Sequence, residues 1–306
     1  MLSPIRIGIN LLTCSLAHCP LHVQAAKYAL DSLLDSDIQR YDWHLVVVDN
    51  ASTCPHTIKM LEDLEAQNER VTIEWADTNL GITGGRNLGY QTLHELHQPQ
   101  YVIEAHTDHV FPETVGDGAG IGWLQPIIDY MEDPRFANAG IVGPSLLTSQ
   151  GYWGSPRPRI PYQLHPEALQ DYITFRAEVN HWARVWRQPG LIRPGLSHPA
   201  VKRWSMLEQI GTVRDGKLFC YDPDMPGRQN FEDTEEAYRA DAAGWLIQIH
   251  FGSLVYHHYH LTRLGLSNHG EDYDANNLYV QQKHTSPVWD QWGVKIGKWM
   301  EEAYTK

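Results

Sequence analysis

Basic charge is what this sequence has least of. Its 24 lysines and arginines stand against 37 aspartates and glutamates, a net charge of −13 over 306 residues. That argues against a general binder of nucleic acid or anionic membrane, because each needs a basic face; a small basic pocket stays possible. Cysteine is scarce too. Cys14, Cys19, Cys54 and Cys220 form no CxxC pair, which predicts reduced thiols in a cytoplasmic protein rather than a disulfide framework. No apolar run approaches ~20 residues, so no segment reads as membrane-spanning. The opening MLSPIRIGIN lacks the basic-then-apolar layout of a signal peptide, and neither an internal repeat nor a low-complexity tract is present. What is there is globular: 42% hydrophobic and 20% charged, long enough for one large or two modest domains around a buried core.

The first half alternates short apolar runs with helical patterns. Ile5–Leu12, His44–Val48, Val71–Trp75, Tyr101–Glu104 and Ala139–Val142 read as strands. Helical patterns run over Val23–Leu34, around Ile58–Leu64, and from Gly84 to Leu96. Strand–helix alternation with continuous apolar strands predicts an α/β fold, a mainly parallel twisted sheet covered by helices on both faces. In such sheets ligands sit beyond the carboxyl ends of the strands. Polar residues gather at those ends: Asp49-Asn50, then Asn79 to Arg86, then His106 to His109. The stretch 152–199 changes character, rich in Trp, Tyr, Pro and Arg, and is expected to be an aromatic-rich insert or lid. After it, Ala200–Ile210 and Asp233–Ala243 read as helices closed by Gly211 and Gly244. The tail, 261–306, is expected to be a C-terminal appendage packed on the domain.

Four constellations carry chemistry. In VVVDNAST, Asp49 ends a buried strand, where it either accepts hydrogen bonds from a nucleotide or caps the following turn. In NLGITGGRNLGY, Gly81, Gly84 and Gly85 allow close backbone approach and Arg86 offers a cation near a helix start, a layout that suits a phosphate; the spacing is not GxGxxG. In NFEDTEEAYRADAAGW, helix-start acids are ordinary, but the adjacent pair Glu232-Asp233 directly after Phe231 suits a general base. In LVYHHYHLTR, three histidines so close suggest a metal ligand, with His257 and His258 on opposite faces.

In this order the motifs resemble the family-two glycosyltransferases of the GT-A fold. The resemblance covers roughly residues 5–260, read as one GT-A-like domain over 1–260 with the 152–199 insert on the acceptor side. It implies an inverting transfer of a sugar from a nucleoside diphosphate sugar to a glycan or other acceptor hydroxyl. Asp49 would contact the base or ribose, and the loop holding Asn79, Gly81, Gly85 and Arg86 would lie against the nucleotide. Asp233 would be the base, Glu232 would position the acceptor, and Arg239 would orient the acids or the phosphate. The family's DxD motif, which holds Mg²⁺ or Mn²⁺, is commonly followed by a proline four positions beyond its last acid. Pro112 therefore matches that acid to Asp108, and the first acid falls on His106. The chain reads HTD where the family usually reads DxD. The implied metal set is Asp108, His106 and the late His257, with adjacent His258 as the alternative late ligand and His109 behind them or facing solvent, and an imidazole suits Mn²⁺ better than Mg²⁺. Two other functions fit the same motifs: a sugar nucleotidyltransferase, and a catalytically inactive nucleotide-sugar or glycan-binding module, which the HTD departure motivates.

Overall fold

The computed structural model describes residues 4–15, 20–113, 122–148, 151–152, 176–226 (with gaps at 178, 182, 185–187 and 189), 231–257, 269–284, and scattered positions thereafter. Strands β1 (Arg6–Thr13), β2 (Asp42–Asp49), β3 (Val71–Trp75) and β4 (Tyr101–His106) alternate with helices α1 (Pro20–Leu34), α2 (Pro55–Gln67) and α3 (Gly81–Leu96). The four strands pair in parallel in the order β3-β2-β1-β4. Next come β5 (His109–Val110), α4 (Gln125–Glu132), β6 (Ala139–Thr148), β7 (Gly151–Tyr152), β8 (Ile192–Pro194), β9 (Ala200–Arg203) and α5 (Trp204–Ile210). The small hairpin β10 (Thr212–Arg214) and β11 (Lys217–Phe219) precedes α6 (Glu232–Ala242), β12 (Leu246–His257) and α7 (His269–Lys283). The main sheet runs β3-β2-β1-β4-β9-β6-β12-β5, with β7 on β6 and β8 on β12.

Side-chain alternation along the strands builds two core layers, one on each face. Ile7, Ile9, Leu11, Leu45, Val47 and Ile103 pack with Trp123 and Ile127 on one side. Val46, Val48 and Val102 pack with Tyr90 and Leu93 on the other. Each such fully buried side chain contributes on the order of 1.5–3 kcal/mol. This is the α/β class read from the sequence, with helices over both faces. Among the described residues no helix is long and apolar enough to cross a membrane.

One predicted helix is half strand. Ala200–Arg203 forms β9, antiparallel to both β4 and β6, and the helix starts only at Trp204. Alanine and lysine favour helix, but strand pairing on both sides and complete burial of Ala200, Val201 and Lys202 override a weak propensity. Most of the aromatic-rich insert, including Trp153, Arg157 and Arg159, lies outside the described residues, as do His258, His260 and the tail's Trp289, Trp292 and Trp299.

Two packing arrangements position the site. α3 lies so close on β1 that a Cβ at Gly89 would stand 2.4 Å from Asn10 Oδ1, and one at Gly85 2.5 Å from Leu12 Cδ1. α7 is fastened to α6 by Lys283, whose Nζ donates to Asp222 Oδ2 and to Glu235 Oε1, both at 2.7 Å.

Candidate active site

The polar centre lies where β4 ends. β4 runs to His106, Thr107 and Asp108 make the turn, and His109 begins β5. β5 then pairs antiparallel with the end of β12, in a register that sets His109 opposite His257. A shift in the β12–β6 pairing between His250 and Leu254 precedes that last stretch, and irregularities of this kind re-aim a strand. The result brings distant chain segments together. His257 Nε2 is 3.3 Å from Asp108 Oδ2, and the His109 and His257 rings are 4.8 Å apart.

Asp108, His109 and His257 each offer a ligand atom within 4.8 Å of the others. Asp108 and His109 are buried, so His109 does not face solvent. Its Nε2 is buried with no hydrogen-bond partner among the described residues. Burial holds the His109 and His106 imidazoles well below their ordinary range, so both are neutral at physiological pH, the form that ligates. His109 Nδ1 accepts a long hydrogen bond, 3.2 Å, from the His106 backbone N–H, which puts the neutral ring's proton on Nε2; to ligate through Nε2 the ring would shift that proton to Nδ1 and give up this long hydrogen bond. One carboxylate with two imidazoles fits a divalent ion of the Mn²⁺ type better than Mg²⁺.

His106 does not join this group. It gathers with Glu104 and His198 instead, its ring 5.3 Å from that of His198. That second group is a poor cation site because Glu104 is already neutralised. Lys202 Nζ donates to its Oε2 at 2.6 Å, Tyr90 and Tyr221 donate hydroxyls at 2.7–2.8 Å, and Arg86 Nε stands 3.7 Å from Oε1. Burial opposes the charge, yet Lys202 and Arg86 hold the Glu104 carboxyl well below its usual range. Lys202 is itself fully buried and bridges to Glu236 at 2.6 Å.

Arg86 is placed differently from the sequence expectation. α3 begins at Gly81, which puts Arg86 more than a turn inside the helix and facing the sheet. It is buried and donates to the backbone carbonyls of Asn10 and Ala105, the latter at 2.7 Å. Its charge is therefore committed to the interior and does not reach a phosphate at the loop surface. Gly85 serves the close packing of α3 on Leu12. Asn79 does sit in the loop and Gly81 opens α3 directly after it: Asn79 Oδ1 accepts from Gly81 N–H at 2.9 Å and from Asn50 Nδ2 at 3.2 Å. Asp49 ends β2, and its carboxylate accepts from the backbone N–H of Ser52 at 3.1 Å and from the Ser52 hydroxyl. That contact caps the turn.

Glu232 and Asp233 open α6 directly after Phe231, whose φ of 66° is left-handed. A non-glycine residue held there costs on the order of 1–3 kcal/mol, and such strain clusters at functional sites. The two acids differ. Burial and then the Asp233 charge push Glu232 up to about 8, so it carries its proton at neutral pH. Burial also acts on Asp233, but a hydrogen bond from His198 and those from Thr234 outweigh it and keep the carboxyl below its ordinary value. At neutral pH the pair thus holds one protonated and one ionised carboxyl side by side. Arg239 orients neither: it grips Glu235 at 2.8 Å and donates to the carbonyls of Ile210 and Cys220.

The sequence alone does not single out His198, Glu104 or Lys202. His198 stands alone in LSHPAV and Lys202 within an expected helix; an acid and a lysine inside otherwise apolar runs are the only local signals.

A family model for glycosyl transferase family 2 matches residues 24–185, over half the chain. No curated protein matches the sequence. Among solved structures, GalNAc-T7 with UDP, GalNAc and Mn²⁺ has a TM-score of 0.61 at 15% identity, covering 92% of this chain and 48% of its own. TarS 1-349 from S. aureus gives 0.49 at 12% identity, covering 83% of this chain and 60% of its own. The mannosyltransferase PcManGT from Pyrobaculum calidifontis, in complex with GDP-Man and Mn²⁺, gives 0.46 at 17%, covering 83% and 56%. The chain thus spans about half to three fifths of the length of these proteins. The shared architecture with GalNAc-T7 is the GT-A fold, and the chain belongs to glycosyl transferase family 2.

Proposed function

We propose that this chain transfers a sugar from a nucleoside diphosphate donor to an acceptor hydroxyl with inversion at the anomeric carbon, in a reaction dependent on Mn²⁺ or Mg²⁺. The observation that carries this reading is the meeting of Asp108 with His257 at 3.3 Å at the end of β4, in a chain that also holds an ionised Asp233 beside a protonated Glu232. Asp108, His257 and His109 would hold the ion. Bound there, it supplies charge neutralisation for the departing diphosphate.

Asp233 takes the proton of the acceptor hydroxyl as that oxygen bonds to the anomeric carbon. The bond from that carbon to the diphosphate oxygen breaks, and its electron pair leaves with the diphosphate. Attack opposite the leaving group inverts the configuration. Glu232, protonated at neutral pH, donates a hydrogen bond and is suited to positioning the acceptor. Asp49 and the Asn79–Gly81 loop, beyond the carboxyl ends of β2 and β3, line the place where a nucleotide would sit in a sheet of this kind. The fold itself supports the donor class, as do the UDP, GalNAc and Mn²⁺ held by GalNAc-T7.

The test is release of UDP or GDP from UDP-GalNAc, UDP-glucose and GDP-mannose with Mn²⁺, and NMR of the glycoside formed on simple alkyl glycosides. An anomeric configuration opposite to the donor's is expected. Retention would overturn the inverting mechanism. Pyrophosphate release from a nucleoside triphosphate would point instead to nucleotidyl transfer, and binding without turnover to an inactive module.

A further inference from the structure

His198, on the segment between β8 and β9, stands between two carboxylates. Its Nε2 is 3.4 Å from Asp233 Oδ2 and its Nδ1 is 3.9 Å from Glu104 Oε1. The two acids are held very differently. Glu104 is an anchor, buried and fixed by Lys202, Tyr90 and Tyr221. Asp233 sits on the first turn of α6 with a side chain 34% exposed. Its Oδ1 accepts from the Thr234 backbone N–H at 2.6 Å and from the Thr234 hydroxyl at 3.2 Å. His198 is the partner on its Oδ2.

The ionisable groups around this pair come from four elements. Glu232 adjoins Asp233 on α6, His106 of β4 lies edge-on to His198, and Lys202 and Arg86 stand behind Glu104. No hydrogen-bond partner meets His198 Nδ1 among the described residues. Of the two ring nitrogens Nε2 is thus the one nearer a carboxylate, 3.4 Å from Asp233 Oδ2.

Resting on the reading of Asp233 as the base, we propose that His198 is its positioning residue, donating from Nε2 to Oδ2 and holding the carboxylate turned toward the acceptor hydroxyl. A carboxylate on a first helical turn can rotate about its side-chain bonds. Thr234 fixes one oxygen from within the same turn; His198 fixes the other from across the site. The imidazole keeps its own proton throughout, and the acceptor's proton ends on Asp233. Alignment of this kind acts on the rate of the chemical step and not on donor binding.

The test compares His198→Gln, whose amide N–H reaches near the Nε2 position, with His198→Asn, whose shorter amide does not. In protein labelled with carboxyl-¹³C aspartate, Asp233→Asn identifies the Asp233 resonance. Its titration midpoint is expected to move up in His198→Asn, because a hydrogen bond to the charged form is lost, and to return toward the wild type in His198→Gln. With UDP-GalNAc or GDP-mannose and Mn²⁺, kcat is expected to fall roughly 10–100-fold in His198→Asn, part of what general-base catalysis is worth, with the donor KM unchanged and recovery in His198→Gln. Long-range ¹H–¹⁵N NMR of the wild type needs no variant: a proton on His198 Nε2 is expected, and a bare Nε2 overturns the proposal. An unmoved Asp233 midpoint, or equal kcat in both variants and the wild type, also overturns it. Wild-type turnover in Asp233→Asn would instead remove the base assignment itself, whatever His198 does.

Discussion

Asp108 and His257 meet at 3.3 Å, although one lies in the turn after β4 and the other at the end of β12. The pairing of β5 with β12 makes that meeting, and it places a carboxylate and two imidazoles where the family resemblance puts a DxD site.

Asp108→Ala is expected to abolish Mn²⁺ binding in a calorimetric titration, and His257→Ala to weaken it. His109 stays neutral until well below the ordinary 6.5, so its protons compete with the ion only in acid, and binding through it holds at neutral pH. Undiminished Mn²⁺ binding by Asp108→Ala would move the ion elsewhere.

Lys202 joins Glu104 and Glu236 in the buried core. Lys202→Met leaves buried Glu236 without its ion-pair partner and Glu104 with only the more distant Arg86, which costs on the order of 3–5 kcal/mol. Urea unfolding should show the loss as a lower midpoint. A change under about 1 kcal/mol, the range of an exposed pair, would mean the cluster does not bind as drawn.

Glu232 makes stability depend on pH. Its folded value is raised from 4.5 to about 8, so between those two pH values the unfolded chain releases a proton that the folded protein keeps. Stability from this group is full below 4.5 and is lost as pH rises through about 8. Glu232→Gln, which cannot ionise, should match the wild type near pH 4.5 and exceed it above pH 8 in thermal unfolding. Parallel curves across that window would contradict the burial of an acid there.

What is legible in the sequence follows from how local each signal is. β1, β2 and β4 announce themselves because they are buried on both faces and read as continuous apolar runs. Glu232 and Asp233 announce themselves as acids at a helix start. Arg86 misleads because a sequence shows a cation near glycines, whereas its direction depends on α3 beginning at Gly81 and lying against β1. β9 reads as helix because its reasons to be a strand are partners on β4 and β6, far away in the chain. His198 gives no local sign, since its meaning comes only from Asp233 and Glu104 on either side. His109, expected behind the ligands or facing solvent, lies beside His257 through a strand register that no short window contains.

The central claim is that Asp233 is the base of a working transferase. The most direct measurement is UDP or GDP release from UDP-GalNAc, UDP-glucose and GDP-mannose with Mn²⁺, by the wild type and by Asp233→Asn, with binding of the same donors followed by calorimetry. The account predicts release by the wild type, a fall of about 10²–10⁴-fold in Asp233→Asn, and nearly equal donor affinity in the two proteins. Wild-type release rates in Asp233→Asn would contradict it, as would donor binding by the wild type with no release at all.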